Sequence, residues 1–560
     1  MLEAIGHGAD DARLIAAWQA NISHMRAALG WPDAPVCVRL HRRGITLAFA
    51  APLDQLYSAT EVNEWACMAA RGKAELFAPG HPHGGDAESA LATLGRHAAA
   101  ERQADLVDLI AAAVARRIPY LLDDDTLSLG FGHGGHSWPR DRLPSIDAVD
   151  WAILHGIPTA LVTGSNGKTT SVRLLAAMLN AHGLRTAFSC TDGVFFDGES
   201  LETGDYSGPA GARTVLRHPH VEAGVLETAR GGLLRRGLAV HRADVALVTN
   251  ISDDHFGEYG IDDLDGLSET KLIVARALGA DGLLVLNADD AQLRAHAGQL
   301  ACRLAWFSLD DDNVLLRAHR ASGGTTCGVR DGRLWLGSDA QRSDLGAIEA
   351  MPLTAQAHAL YNISNIAGAS LLANALGISI ATISDVLARF GQDRHDNPGR
   401  LEQWQFGGIR VIMDYAHNPE GLRGLLSIAQ GLRGNGRLGL ILGQAGNREE
   451  PEIRALAATA ASFAPDLVVL KDMETFMRGR THGEVAGLLR DELLAHGLNA
   501  EHLPMHASEF AAVRHALAWA RPGDLLVLPV HGLTAKTVVA GLLDRLEAAS
   551  WQAGQALPES

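Results

Sequence analysis

The sequence predicts an α/β protein of several domains: an N-terminal α+β domain, a central domain on a mostly parallel sheet, and a second, C-terminal α/β domain. Three observations predict it. From Ile157 onward, short runs rich in β-branched residues and leucine (TALVTG, VEAGVLETA, ADVALVTN, DGLLVLN) alternate with helical stretches, as βαβ units do. The same alternation resumes after the NPGR turn at 397–400. Residues before about 150 lack it and close in the polar, glycine-rich run GFGHGGHSWPRDRLPS. The expected domains are therefore 1–150, 151–395 and 396–560.

In the first domain, VCVRLHRRGITLAFA (36–50) is a strand candidate and GRHAAAERQADLVDLIAAAVARR (95–117) a single long helix candidate. In the central domain an apolar strand ends at Thr163 and an amphipathic helix opens at about Lys168. Between about 303 and 350 the runs VLLRAHR and GRLWLG read as a small antiparallel appendage, with helical segments following near 357–391. The C-terminal domain is Rossmann-like, with strand candidates GIRVIMDYA, RLGLILG, DLVVLK and DLLVLPV separated by helical patterns such as EEPEIRALAATAASF.

Composition narrows the function classes. A chain of 560 residues with 47% hydrophobic and 20% charged residues is ordinary globular protein. Its formal charge of −17, with the acidic residues scattered, argues against a nucleic-acid or anionic-membrane surface. The five cysteines are odd in number and far apart, which suits a reducing cytoplasm better than a disulfide framework. The N-terminus lacks the pattern of a secretion signal, and no uninterrupted apolar stretch reaches the roughly 18 residues of a membrane span, so a cytoplasmic location is expected. Self-association is left open.

The sharpest signal is IPTALVTGSNGKTTSVRLLAAMLNAHG, a strand, a glycine loop and a helix in succession. Phosphate binding needs that context. Gly164, Ser165, Asn166 and Gly167 turn backbone N–H groups toward anionic oxygens at a helix N-terminus. Lys168 reaches the β- and γ-phosphates, Thr169 is placed to ligate Mg²⁺, and Thr170 completes the motif. The loop follows the short form GxNGKT, since Val162 stands where a longer phosphate loop has its first glycine. ATP and Mg²⁺ are the cofactors expected. By contrast, GFGHGG at 130–135 lacks the strand, helix and acidic residue of a dinucleotide fingerprint, and HGGH at 133–136 lacks a third metal ligand; both read as loops.

TGSNGKTT is followed in order by LETARGG (226–232), TNISDDHFG (249–257), the lysine of SETKLIVARAL and LNADD. That series resembles the Mur ligases and folylpolyglutamate synthetases. TDGVFFDGE, SGPAGARTVLRHP and VLETARGGLLRRGL are similar to segments of the Mur-ligase half of cyanophycin synthetases, over about residues 157–545. ARRIPYLLDDDTLSLGFGHGGHSWPRDRLPS is similar to the end of the N-terminal domain of that subgroup, where an ATP-grasp module would come next; here the Mur-like part follows directly.

The resemblance implies an ATP-dependent, ADP-forming carboxylate–amine ligase that works through an acyl phosphate. It makes Glu227 and His255 metal ligands beside Thr169, around one Mg²⁺ or two, and Lys271 a lysine that becomes carbamylated. The alternative for Lys271 is an ordinary lysine on a helix surface, the usual place for that residue. Asn362 in YNISNIAGA, Arg400 in NPGRLE and Asp414 in DYAHNP become contacts to adenine and ribose, with Tyr361 where many members carry histidine. His417 would approach the phosphates or the incoming substrate. Arg448, Lys471, Arg478 and Arg480, at the C-terminal ends of strand candidates, suit a carboxylate or phosphate, with solvated charge as the alternative. The substrates implied are an amino acid or acidic peptide, with arginine among the candidate amines.

Two other functions compete. A non-ligating nucleotide-binding or scaffold subunit of a polymer-synthesising system is motivated by the missing ATP-grasp module. A simple P-loop hydrolase or kinase is disfavoured because the nucleotide contacts are divided between two domains, which implies closure around ATP and exclusion of water.

Overall fold

The computed structural model describes residues 2–5, 11–42, 44–73, 87–253 and 256–558. The chain forms two compact units, residues 1–156 with 255–267, and residues 157–254 with 268–560.

The first unit contains β1 (Leu2–Ile5), α1 (Asp11–Leu29), β2 (Val36–His41), β3 (Gly44–Phe49), α2 (Leu56–Ala70), α3 (Ala87–Glu101), α4 (Ala104–Ala115), β4 (Tyr120–Leu122), β5 (Thr126–Leu129) and β6 (His136–Pro139). The single strand expected at 36–50 is two strands paired antiparallel, with β1 on the other edge of β3. The long helix expected at 95–117 is broken after Glu101. That carboxylate accepts from the N–H groups of Tyr57 and Ser58 at 2.9 and 2.8 Å, and Gln103 N–H donates to Asp54 at 2.9 Å. Tying the start of α2 here outweighs the helix propensity of the intervening residues. GFGHGG is a short turn, with His133 edge-on to His155 and His136 against Trp138.

In the second unit the chain runs β7 (Thr159–Thr163), α5 (Lys168–Ala181), β8 (Thr186–Cys190), β9 (Gly193–Phe196), β10 (Glu199–Thr203), α6 (Pro209–Arg217), β11 (Ala223–Glu227), α7 (Arg230–Arg236) and β12 (Ala243–Val248). Next come α8 (Leu264–Leu272), whose residues 264–267 belong to the first unit, β13 (Leu278–Asn287), α9 (Ala291–His296), β14 (Arg303–Ser308), α10 (Val314–Ala321), β15 (Thr326–Arg330), β16 (Arg333–Gly337), β17 (Arg342–Ala347), α11 (Leu360–Ala375) and α12 (Ile380–Leu387). The sheet order is β10-β9-β8-β11-β7-β12-β13-β14-β15-β16-β17, parallel from β8 to β15 and antiparallel at both margins. After β7 the chain crosses to β8, returns to β11 beside β7, and then passes to β12 on the other side. The C-terminal ends of β7, β11 and β12 therefore flank a switch point, where open α/β sheets bind ligands. Helices α5 and α11 bury Val172, Leu175, Ile366 and Leu372 against Val162, Val225 and Leu247 of the sheet.

The appendage expected at 303–350 needs one correction. GRLWLG is a strand, but VLLRAHR is the helix α10. Asn313 caps it by accepting from Leu315 N–H at 2.9 Å, and Leu316 and Arg320, one helical turn apart, are the buried positions.

The last segment comprises β18 (Glu402–Phe406), β19 (Ile409–Asp414), α13 (Pro419–Leu432), β20 (Leu438–Leu442), α14 (Glu450–Ala461), β21 (Leu467–Lys471), α15 (Glu484–Ala495), β22 (Met505–His506), α16 (Glu509–Trp519), β23 (Leu525–Pro529) and α17 (Leu533–Ala548). Its sheet, ordered β18-β19-β23-β20-β21-β22, is parallel except for β18. Successive strand residues alternate sides: Leu440, Val468 and Val527 pack on α13, α14 and α15, while Ile441, Val469 and Leu526 pack on α16 and α17. Both faces are covered, which explains the continuous apolar runs in the sequence. No helix among the described residues is long and apolar enough to cross a membrane.

Candidate functional site

The glycine loop after β7 is held from two sides. Gly164 has φ +142°, and a Cβ there would stand 1.8 Å from Thr249 Oγ1; Gly167 has φ +85°, and a Cβ there would stand 2.1 Å from Asn365 Oδ1. Neither position admits a side chain without displacing its neighbour. The segment after β12 fixes the loop further: Thr249 Oγ1 donates to Asn166 O at 2.6 Å, Asn166 N–H donates to Asn250 Oδ1 at 2.9 Å, and Ser165 Oγ donates to Ser252 O at 3.0 Å. Lys168 opens α5, and its ammonium donates to the carbonyls of Gly164 and Ser165, each at 3.0 Å.

Glu227, at the end of β11, is 1% exposed and receives hydrogen bonds from Thr169 Oγ1 at 2.8 Å and Thr191 Oγ1 at 2.9 Å. Burial pushes its carboxyl up, with Lys168 opposing. A carboxylate and a hydroxyl side by side at a helix N-terminus fit a hard divalent cation, so Thr169 and Glu227 are suited to hold Mg²⁺. His255 lies outside the described residues. Among the described residues no cluster of three or more His, Cys, Asp or Glu could hold a metal ion. Lys271, in the last turn of α8, is 1% exposed, which excludes a plain surface lysine.

The far wall comes from α11 and the loop after β19. Together with the glycine loop these line a cavity of about 380 Å³ bordered by Lys168, Thr169, Glu227, Asn362, Arg400, Asp414 and His417. The expected residues on it differ in how engaged they are. Asn362 donates to Leu353 O at 2.9 Å and accepts from Asn365 at 3.2 Å, so it orients Asn365 against Gly167. Asp414 accepts from Leu401 N–H and Ala416 N–H, both at 2.8 Å, and holds the loop shape; burial raises its carboxyl, with Arg400 opposing. The Arg400 guanidinium lies 4.3 Å from the Tyr415 ring centre. His417 Nδ1 faces Tyr415 O at 3.3 Å. Two amides join the walls directly: Asn418 Nδ2 donates to Asn166 Oδ1 at 3.0 Å, and Asn397 Nδ2 donates to Thr170 Oγ1 at 3.2 Å.

Two models of known domains match the chain, the Mur ligase middle domain over residues 162–373 and the Mur ligase glutamate ligase domain over residues 399–529. The UDP-N-acetylmuramoyl-L-alanyl-D-glutamate–2,6-diaminopimelate ligase of Alkalilimnicola ehrlichii is 31% identical over 398 residues, covering 68% of this chain and 74% of that one. The chain belongs to the Mur ligase family. Members of this family are ATP-dependent amide-bond ligases. The cyanophycin synthetase of Geminocystis herdmanii is 34% identical over 378 residues, 68% of this chain, but the match spans only 43% of that longer protein. In fold, the chain is similar to Escherichia coli FolC in complex with DHPP and ADP, with TM-score 0.50, 20% identity, and coverage of 69% of this chain and 89% of that one.

Not every expected ligand residue of this Mur ligase family chain reaches the cavity. Lys471 is fully buried, paired with Glu509 and 3.2 Å from His531 Nδ1; His531 Nε2 in turn faces Ala416 O at 3.1 Å. It is therefore not free to grip a carboxylate. Arg448 pairs with Glu452, four residues on, at 3.3 Å, and Arg480 donates to Gly446 O at 3.0 Å and Arg448 O at 3.2 Å, tying its own loop to the one after β20. Arg478 is exposed.

Sequence reasoning passed over a charge cluster at the cavity's edge. Asp192, in the turn between β8 and β9, pairs with Lys536 of α17 and lies 3.5 Å from Arg173 and 3.8 Å from Arg400. Burial pushes its carboxyl up, but Arg400 and Lys536 outweigh that and hold it at about 2. TDG was legible only as a segment of the resemblance, and LTAKT carried no signal at all.

Proposed function

We propose that the protein is an ADP-forming ligase that joins the carboxylate of an amino acid or acidic peptide to an amine. One observation carries this reading: a phosphate loop, a buried Glu227 and the Arg400–Asp414 loop, drawn from two α/β sheets, face one another across a single cavity. An enzyme that only hydrolyses ATP has no need to enclose it between two sheets, whereas a water-sensitive acyl phosphate does.

In this reading the backbone of residues 164–167 and the Lys168 ammonium bind the triphosphate, while Thr169 and Glu227 hold Mg²⁺, which neutralises charge on the phosphates. A carboxylate oxygen of the acid attacks the γ-phosphorus and ADP leaves. The amine nitrogen then attacks the acyl carbon, phosphate leaves with that carboxylate oxygen, and the amine gives up a proton. By the family resemblance, Lys271, as a carbamate, and His255 would add to the ligands of that cation. Asn362, through Asn365, and Arg400 and Asp414 shape the nucleoside end; His417 faces the phosphates or the incoming substrate.

The test is ADP release with Mg·ATP against paired panels of acids (amino acids, acidic peptides) and amines, arginine included. We expect one pair to raise turnover well above the ATP-only background, with a product gaining the mass of the amine less water. No such pair, and no such product, would sink the proposal.

A further inference from the structure

Four charged side chains from four separate segments meet beside the nucleotide cavity. Asp192 belongs to the β8–β9 turn and Arg173 to α5, whereas Arg400 precedes β18 and Lys536 lies on α17, so the first two sit on the central sheet's side and the last two on the C-terminal sheet's side. All are nearly buried: the side chains of Asp192, Arg173, Arg400 and Lys536 are 10%, 7%, 13% and 9% exposed. Three cations around one carboxylate is an unusual ratio for so little water.

The geometry shows what the carboxylate does. Lys536 is bonded to Asp192, and its ammonium lies 5.4 Å from the Tyr415 ring centre. Arg400 is caught between the same ring and Asp192. Arg173 lies against the stacked rings of Phe188 and Phe195, 5.3 and 4.7 Å from their centres, and its Nε has no hydrogen-bond partner. Among the described residues Asp192 is thus the anion in direct contact with all three of these cations, which would otherwise repel each other; it draws Lys536 and Arg400 toward the central sheet, with Glu227 acting on Arg400 from farther away. Thr191, its neighbour, donates to Glu227, so the same turn reaches the metal-binding carboxylate.

We propose that Asp192 is a positioning residue: it latches the C-terminal side of the cavity to the central side and aims Arg400 at the nucleotide. The proposal rests on the cavity being the nucleotide site.

The sign of one substitution separates this role from simple electrostatics. Asp192→Asn removes a negative charge from beside a site for an anionic ligand. By Coulomb attraction alone the variant would bind nucleotide more tightly. As a latch, its loss loosens binding.

The experiment is calorimetric titration of the full chain with Mg·ADP, alongside melting curves taken without nucleotide. The expected result is a Kd raised about tenfold in Asp192→Asn, within the usual range for coupled sites, and raised in Lys536→Gln. In the double variant the loss should be smaller than the product of the two single losses, because both remove one contact. The double variant also carries one cation fewer, so it reports on the latch even if Asp192→Asn alone melts too low to assay. Unchanged or tighter binding by Asp192→Asn, or a double variant whose loss equals the product, overturns the proposal alone. A wild-type chain that binds no Mg·ADP, or a Lys168→Ala variant that binds it as well as wild type, overturns the site reading and the latch with it.

Discussion

The rims of the two sheets carry similar residues and use them differently. On the central rim, Lys168 is bonded to two loop carbonyls and Glu227 to two hydroxyls, so neither is neutralised by an opposite charge in direct contact. On the C-terminal rim most charges are settled in pairs: Lys471 with Glu509 and His531, Arg448 with Glu452, and Arg480 with Glu484. A buried charge bonded only to neutral groups is costly unless a ligand completes it, whereas a buried pair is complete already. The central rim is therefore built to receive charge, and the C-terminal rim to hold its own shape against the cavity.

Three substitutions would break or sharpen that contrast. Lys168→Ala should lower ligase turnover by about 10²-fold or more, the scale of a lost preorganised charge contact in an active site, while leaving the melting temperature nearly unchanged. Lys471→Met should do the reverse. It leaves Glu509 buried without its ammonium, at a cost of about 3 kcal/mol seen as a lower melting midpoint, and any effect on turnover should follow only from displacement of the Ala416 segment that His531 touches. If instead Lys471→Met abolished turnover at full stability, Lys471 would be a ligand residue and the contrast would fail. Gly167→Ala should be milder, weakening nucleotide binding about tenfold through roughly 1–2 kcal/mol of left-handed backbone strain and the clash with Asn365. Equal binding would show that the loop can relax.

How much of this was legible in the sequence depended on whether the signal was local. The phosphate loop was, because strand, glycines, Lys168 and helix are consecutive and each constrains the next. The strands of the C-terminal sheet were, because their apolar runs are long and bounded by turns. Helix α10 was not: its apolar run is short, and its identity is decided by the Asn313 cap and by the burial of Leu316 and Arg320. The break after Glu101 was invisible because its cause is a pair of hydrogen bonds from the start of α2, some 43 residues away in the chain. Least legible was the Asp192 cluster, whose members stand at 173, 192, 400 and 536 and share no spacing. Arg400 could be picked out for its motif, but its neighbours could not.

The most direct test of ligation through a cavity closed between two sheets is the fate of one oxygen atom. With the acid substrate labelled with ¹⁸O in its carboxylate, the inorganic phosphate formed with amide product should carry one ¹⁸O, since the bond broken by the amine is the acyl carbon–oxygen bond. Unlabelled phosphate, released whether or not the amine is present, would mean that water attacks ATP directly in this cavity and would contradict the account.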